Sequence, residues 1–287
     1  MNTSSPINAM TIDVEDYFQV SAMEPYVERS AWDAITPRVE RNTQRILDLL
    51  AEHDTRATFF TLGWVAERFP GLLRRMVDEG HEVASHGWSH VRVVNQGPAE
   101  FRADVTRTKA LLEDVTGVRV RGYRAASYSI GRDNLWALNV LAETGHDYSS
   151  SIFPIHHDLY GMPEAPRFPF HPEGLDLLEI PVTTVMLGDR KLPFSGGGWF
   201  RLLPYQVFRM ALRRVNRVDG QPVIFYFHPW EIDPDQPRQP GISAKTRFRH
   251  YVNLGRTEAR LHRLLGEFRW GRMDEIFLPA DRHERAA

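Results

Sequence analysis

The chain has 287 residues, 42% hydrophobic and 25% charged, a composition that buries a core and excludes an intrinsically disordered chain. Its 35 basic residues against 37 acidic ones leave a formal net charge of -2, without the electrostatic footprint of a nucleic-acid binder. The absence of cysteine removes disulfides, thiolate nucleophiles and Cys-ligated zinc, leaving His, Asp and Glu as the metal-binding side chains.

The first segment, MNTSSPINAMTIDV, shows neither the basic nor the apolar region of a secretory signal, and no stretch approaches the length of apolar sequence that spans a bilayer. The expectation is a cytoplasmic protein without a transmembrane segment. AMTIDV (9–14) reads as the first strand. A helix follows from Thr36-Pro37, with Thr36 as cap, Pro37 at its first turn and an apolar stripe of Val39, Ile46, Leu47, Leu49 and Leu50. ATFFTL (57–62) is a second strand, Pro70 to Gly80 a helix, HEVAS (81–85) a third strand, and Pro98 to Thr116 a helix closed by Gly117. VRVRGY (118–123) is expected as a strand and Asp133 to Thr144 as a helix, before a loop rich in His, Pro and Gly over 146–174. LDLLEIPV (175–182) and PVIFYF (222–227) are strands, Pro204 to Asn216 and Thr257 to Phe268 helices, and EIFLP (275–279) a last strand-like run. Seven or eight βα units without a break in composition predict one α/β barrel over residues 1–287, with residues from about 231 to 287 as a C-terminal extension packed on it.

Four clusters with chemical potential fall at the C-terminal ends of predicted strands, the face on which barrel enzymes build their sites. TIDVEDYF (11–18) concentrates Asp13, Glu15 and Asp16, whose mutual repulsion calls for a cation or an arginine. ASHGWSH (84–90) places His86 and His90 four residues apart, a spacing that brings two imidazoles to one side. RGYRAASY (121–128) supplies Arg124, able to hold Asp13 ionised. VIFYFHPWE (223–231) delivers His228 from a rigid apolar strand, suited to acid–base work near neutral pH. Taken singly, each has an ordinary explanation: a solvated acidic turn, a chance pair, a surface arginine and a polar strand end.

In this order the motifs TIDVED, SHGWSH, RGYRAASY and YFHP resemble those of NodB-type polysaccharide deacetylases, carbohydrate esterase family 4, over about residues 9–230. DVEDYFQ, SSIFP (150–154), SGGGWFR (195–201) and TRFRHYVNLGR (246–256) resemble most closely the exopolysaccharide-locus subfamily associated with PEP-CTERM/exosortase systems. The resemblance implies a distorted (β/α)7 TIM-like barrel holding one divalent metal ion, zinc or a similar ion, and N-deacetylation of an N-acetylated glycan. It implies Asp13 as general base, His86 and His90 as metal ligands, Arg124 as the residue orienting the base, and His228 as general acid. The family's Asp-Asp pair stands here as Asp13-Val14-Glu15-Asp16, so the third ligand is Glu15 or Asp16. A strand that stays regular to its end puts Glu15 on the face of Asp13 and turns Asp16 away, which favours Glu15.

Ser127, followed by Tyr128, replaces the family's tyrosine, Ala126 its proline, and Tyr226 a small residue of its acyl pocket. Trp88, Trp199 and Trp230 either stack on sugar rings or pack within the fold, and Gly197 in SGGGWFR either lets backbone approach the ligand or forms a turn. The alternative functions are a metal-independent allantoinase-like amidohydrolase and a catalytically inactive glycan-binding barrel. Oligomeric state is not legible.

Overall fold

A computed structural model describes residues 6–157 and 161–279. Among the described residues are ten strands, β1 (Asn8–Val14), β2 (Thr58–Thr61), β3 (Glu82–Ser85), β4 (Gly122–Tyr123), β5 (Tyr148–Ser149), β6 (Leu178–Glu179), β7 (Thr184–Leu187), β8 (Arg190–Pro193), β9 (Ile224–Phe227) and β10 (Trp270–Gly271), and ten α-helices. The helices are α1 (Val39–Glu52), α2 (Gly63–Arg68), α3 (Pro70–Asp78), α4 (Pro98–Thr116), α5 (Trp136–Glu143), α6 (Gly197–Leu202), α7 (Tyr205–Arg214), α8 (Ala244–Tyr251), α9 (Thr257–Glu267) and α10 (Met273–Phe277). Eight strands form one curled sheet in the order β10-β1-β2-β3-β4-β5-β6, with β9 also on β1, and every strand pairing in it is parallel. This is the expected distorted α/β barrel. Its seam between β6 and β9 is bridged by the segment before α6, where Gly196 pairs with Tyr226.

β1 is buried along its whole length because the strand is covered on both faces, by barrel interior on one and helices on the other. The outer layer packs residues such as Ile12, Phe59, Leu47, Leu73 and Phe225 against the helices, and the interior is filled by Ala9, Phe60, Ala84, Tyr148, Ile180 and Met273. Gly122 makes room for the interior: a Cβ there would overlap the ring of Tyr148.

Several expected elements differ. The strands expected over 118–123 and 175–182 contribute two residues each to the ladder, the minimum needed to continue the sheet. β5 lies inside the stretch expected as loop, and the β7–β8 hairpin has no counterpart in the expected elements. EIFLP is not a strand: Glu275–Phe277 belong to α10, and the closing strand is Trp270–Gly271. Thr36 does not cap α1. The helix begins at Val39, and the Asp16 carboxylate accepts from the N–H groups of Arg38 and Val39 at 2.5 and 2.8 Å, satisfying orphan donors from a distant loop.

Behind β4, His146 is buried against Tyr123, its Nδ1 3.3 Å from the Leu141 carbonyl, and its Nε2 finds no partner. Burial, reinforced by the nearby Lys109 charge, pushes its pKa down to about 3. A depressed folded-state pKa contributes stability that is complete above the unfolded value near 6.5 and is lost as pH falls toward the folded one. Between pH 6.5 and pH 5 the protein should therefore lose about 1.6 kcal/mol more than its His146→Phe variant. Urea unfolding of both at the two pH values measures the difference, and parallel shifts would contradict it.

Candidate active site

The barrel's C-terminal rim gathers side chains from the ends of β1, β3, β4 and β9 around a pocket of about 260 Å³. β1 delivers Asp13, and immediately beyond it the Glu15 N–H donates to the Asp13 carbonyl at 3.0 Å, a tight turn that keeps Glu15 on the pocket side. Asp16 faces the opposite way, into the start of α1. Of the two carboxylates considered for the third ligand position, only Glu15 stands beside the histidines.

β3 ends at Ser85, and the His86 N–H continues the ladder to the Thr61 carbonyl. The His86 Nδ1–H donates to the Arg124 carbonyl at 2.8 Å, which fixes the tautomer and leaves Nε2 for the pocket. His90 sits at φ 54°, a left-handed conformation uncommon outside glycine, and the loop is clamped by Arg29, which donates to the carbonyls of Ser89 and His90. The His86 and His90 rings are 5.2 Å apart, and His90 Nε2 lies 3.0 Å from Glu15 Oε2.

One ligand atom each from Glu15, His86 and His90 lies within 4.8 Å of the others, all three residues being buried. Burial first, and then the charges of Asp13, Glu231 and Asp16, push the Glu15 pKa up to about 8, against the pull of His228. Burial also holds both histidines below their ordinary value. The chemistry of this donor set fits a divalent cation: two neutral imidazoles, one carboxylate, and a buried Glu15 Oε2 that accepts no hydrogen bond from the protein.

Arg124, at the end of β4, is fully buried. Its Nη1 donates to Asp13 Oδ1 at 2.6 Å and to Thr11 Oγ1 at 2.9 Å, its Nη2 donates to Ser150 Oγ at 3.2 Å, and the guanidinium lies 3.9 Å over the Phe60 ring. Asp13 thus keeps one oxygen on the arginine while its other stands 4.0 Å from His228 Nε2.

His228, at the end of β9, places Nε2 3.2 Å from Glu15 Oε1 and donates Nδ1–H to Glu231 at 2.7 Å. Burial opposes its charge, but the Glu231 hydrogen bond and the charges of Glu15, Glu231 and Asp13 prevail and raise its pKa to about 9. Glu231 itself, although buried, is lowered to about 2 by Arg201 and His228. The Arg201 Nε donates to it at 2.6 Å, while the rest of that guanidinium donates to the carbonyls of Arg249, His250 and Val252. Sequence reading singled out neither Glu231 nor Arg201. The Glu three residues after His228 was the available signal, since a capping turn folds that spacing back on itself.

Ser127 and Tyr128 line the pocket with consecutive positive φ values of 52° and 51°, held by a 2.6 Å contact between the hydroxyls of Ser127 and Ser21 and by the Tyr128 N–H donating to Ala125. Tyr226 also lines it, its ring 4.9 Å from that of Tyr128. The tryptophans separate into three cases. Trp88 turns away: its ring lies over Gly63 beneath the Arg107 guanidinium, so it is packing and does not line the pocket. Trp230 lines the pocket but is 6% exposed, stacked with His250 at 4.2 Å and with His228 at 5.4 Å, so it braces the imidazole. Trp199 is 41% exposed and borders a neighbouring cavity. Gly197 is a close-packing position, because a Cβ there would overlap the Glu231 carboxylate.

Residues 30–149 match the family model described as polysaccharide deacetylase. Over that stretch the chain is similar to polysaccharide deacetylases. Residues 150–278 match a domain of unknown function, DUF3473. The deacetylase match contains His86, His90 and Arg124, and the DUF3473 match contains Tyr226, His228 and Glu231. Among curated relatives, the chain is 37% identical over 75 residues to a peptidoglycan-N-acetylglucosamine deacetylase of Bacillus cereus, covering 26% of this chain and 27% of that one. It is 35% identical over 100 residues to a chitooligosaccharide deacetylase of Bradyrhizobium sp., covering 35% and 43%. The matched stretches thus span less than half the length of these relatives. The crystal structure of a Mycobacterium smegmatis protein assigned to the polysaccharide deacetylases superposes with a TM-score of 0.62 at 20% identity, covering 96% of this chain and 90% of that one, which establishes the shared fold.

Proposed function

We propose that this protein is a metal-dependent hydrolase that removes N-acetyl groups from an N-acetylated glycan. The observation that carries the reading is the convergence, on one rim, of the Glu15–His86–His90 cluster with the Asp13–Arg124 and His228–Glu231 pairs. The match to the deacetylase model over residues 30–149 and the named activities of the relatives support the same chemistry.

A divalent ion, zinc being the natural choice for two imidazoles and a carboxylate, would be held by Glu15, His86 and His90 and would supply Lewis acidity toward water and the acetamide carbonyl. Asp13, aimed by the Arg124 hydrogen bond, takes the proton from the attacking water. His228 presents Nε2–H to the pocket, oriented through Nδ1 by Glu231, and donates its proton to the departing amine. The strained Ser127–Tyr128 turn directs backbone toward the carbonyl oxygen, and Tyr226 narrows the space left for the acetyl methyl. Resemblance to the exosortase-associated subfamily supports a role in exopolysaccharide synthesis.

Acetate release should be measured on N-acetylglucosamine oligomers, peptidoglycan and exopolysaccharide, with and without chelation followed by metal return. Activity should vanish on chelation and return with the ion; full activity in metal-free protein would refute the mechanism. Metal analysis locates the ligand: Glu15→Gln should lose the stoichiometric ion, whereas Asp16→Asn should keep it and lose stability at the start of α1. The reverse pattern would move the ligand to Asp16.

A further inference from the structure

Beside the pocket lies a second cavity of about 310 Å³, and the two share His157, Tyr226 and Arg249. The ionisable side chains of the second cavity are confined to those three shared residues. Away from the boundary it is lined by Phe153, Ile155, Trp199, Leu202, Phe248 and Val252, with Gly198 the remaining wall. Trp199, Leu202 and Phe248 are 41, 43 and 57% exposed, a large apolar surface to leave in water beside a reaction pocket. At the junction, Arg249 is paired with no carboxylate among the described residues, and its own carbonyl is tied to Arg201.

A sugar ring carries hydroxyls around its edge, and a wall poor in hydrogen-bonding side chains away from the boundary would leave many of them without partners at a cost in free energy. An alkyl or aryl group meets no such cost. From this segregation of polarity we infer that the substrate is amphiphilic. The acetamido sugar occupies the pocket, a polar and preferably anionic linkage crosses at Arg249, and an apolar aglycone fills the second cavity. The inference rests on the deacetylase reading for the placement of the sugar, while the apolar subsite is a property of the cavity alone.

The test compares methyl and octyl N-acetylglucosaminide, the latter below its micelle-forming concentration, together with chitotriose and an octyl-phosphate-linked N-acetylglucosamine. Binding is read by calorimetry on the metal-loaded full chain, and turnover by acetate release. Each buried methylene is worth roughly fourfold, so the octyl glycoside should bind at least tenfold more tightly than the methyl one. Leu202→Asp and Phe248→Asp should each erase that gain while leaving methyl glycoside turnover unchanged, and Arg249→Gln should weaken the phosphate-linked ligand more than the plain octyl glycoside. Equal binding of octyl and methyl glycosides, or a gain that survives both aspartate variants, overturns the inference. So does a gain shown by chitotriose alone, which would make the cavity a saccharide subsite. An octyl gain that depends on Phe248 with no acetate released from any ligand upholds the cavity and sinks the deacetylase reading.

Discussion

Asp13→Asn should lower kcat for acetate release by about 10²–10⁴, the range that a positioned general base contributes, with little change in KM. The side-chain oxygen facing Arg124 Nη1 at 2.6 Å is retained in the amide, so the buried guanidinium keeps its acceptor alongside Thr11 and Ser150. What is lost is the ability to take a proton. Because Asp13 stands outside the trio of converging ligand atoms, bound metal should stay near one equivalent. Steady-state kinetics combined with metal analysis separates the outcomes: activity within tenfold of the parent removes Asp13 from the base role, and a loss that tracks missing metal makes it a ligand.

The largest stability effect should come from Arg124→Met, at about 3–5 kcal/mol, the cost of breaking a buried ion pair and leaving the other charge behind. Here the residual charge is Asp13, 3% exposed at the end of a strand covered on both faces. The variant also withdraws donors from Thr11 and Ser150, tying the loss to the barrel interior as well as to the site. By contrast, truncating Arg75, whose bonds to Asp48 and Glu79 are on the surface, should cost less than about 1 kcal/mol. Urea midpoints give both numbers. Adding Asp13→Asn to Arg124→Met should recover part of the loss, since the stranded charge is removed; strictly additive effects would show that the two residues do not interact.

The parts of this molecule that could be read from its residues are those governed by local periodicity. α4 runs from Pro98 to Thr116 and stops at Gly117 in the left-handed conformation, as proline at the first turn and glycine at the end require. β2, β3 and β9 fall within their apolar runs, and β1 extends its own by Asn8. Strands of two residues, such as β4 and β6, carry no period, and their place in the sheet is imposed by neighbours. The same division holds at the site. Alternation along β1 separates Glu15 from Asp16, but only the tertiary position of α1 reveals what Asp16 does there. His86, His90, Arg124 and His228 announce themselves by type and by strand end. Trp88 misleads because an aromatic beside two histidines has no local mark that distinguishes a sugar platform from a lid over Gly63. Glu231 was hidden by its dependence on Arg201, thirty residues away.

The junction between the two family matches falls between Ser149 and Ser150, inside one continuous sheet. β1, which precedes the deacetylase match, hydrogen-bonds to β9 and β10 within the DUF3473 match, and Arg124 donates across the junction to Ser150. The two matched regions are therefore not portable modules. A fragment ending at residue 149 would expose a bare strand edge on β1, a template for self-association, and would carry Asp13 without His228; the complementary fragment would carry His228 without Asp13. Gene fusions, truncations and domain swaps built on that boundary divide the proposed site, and engineering of this protein has to keep the sheet from β1 to β10 together.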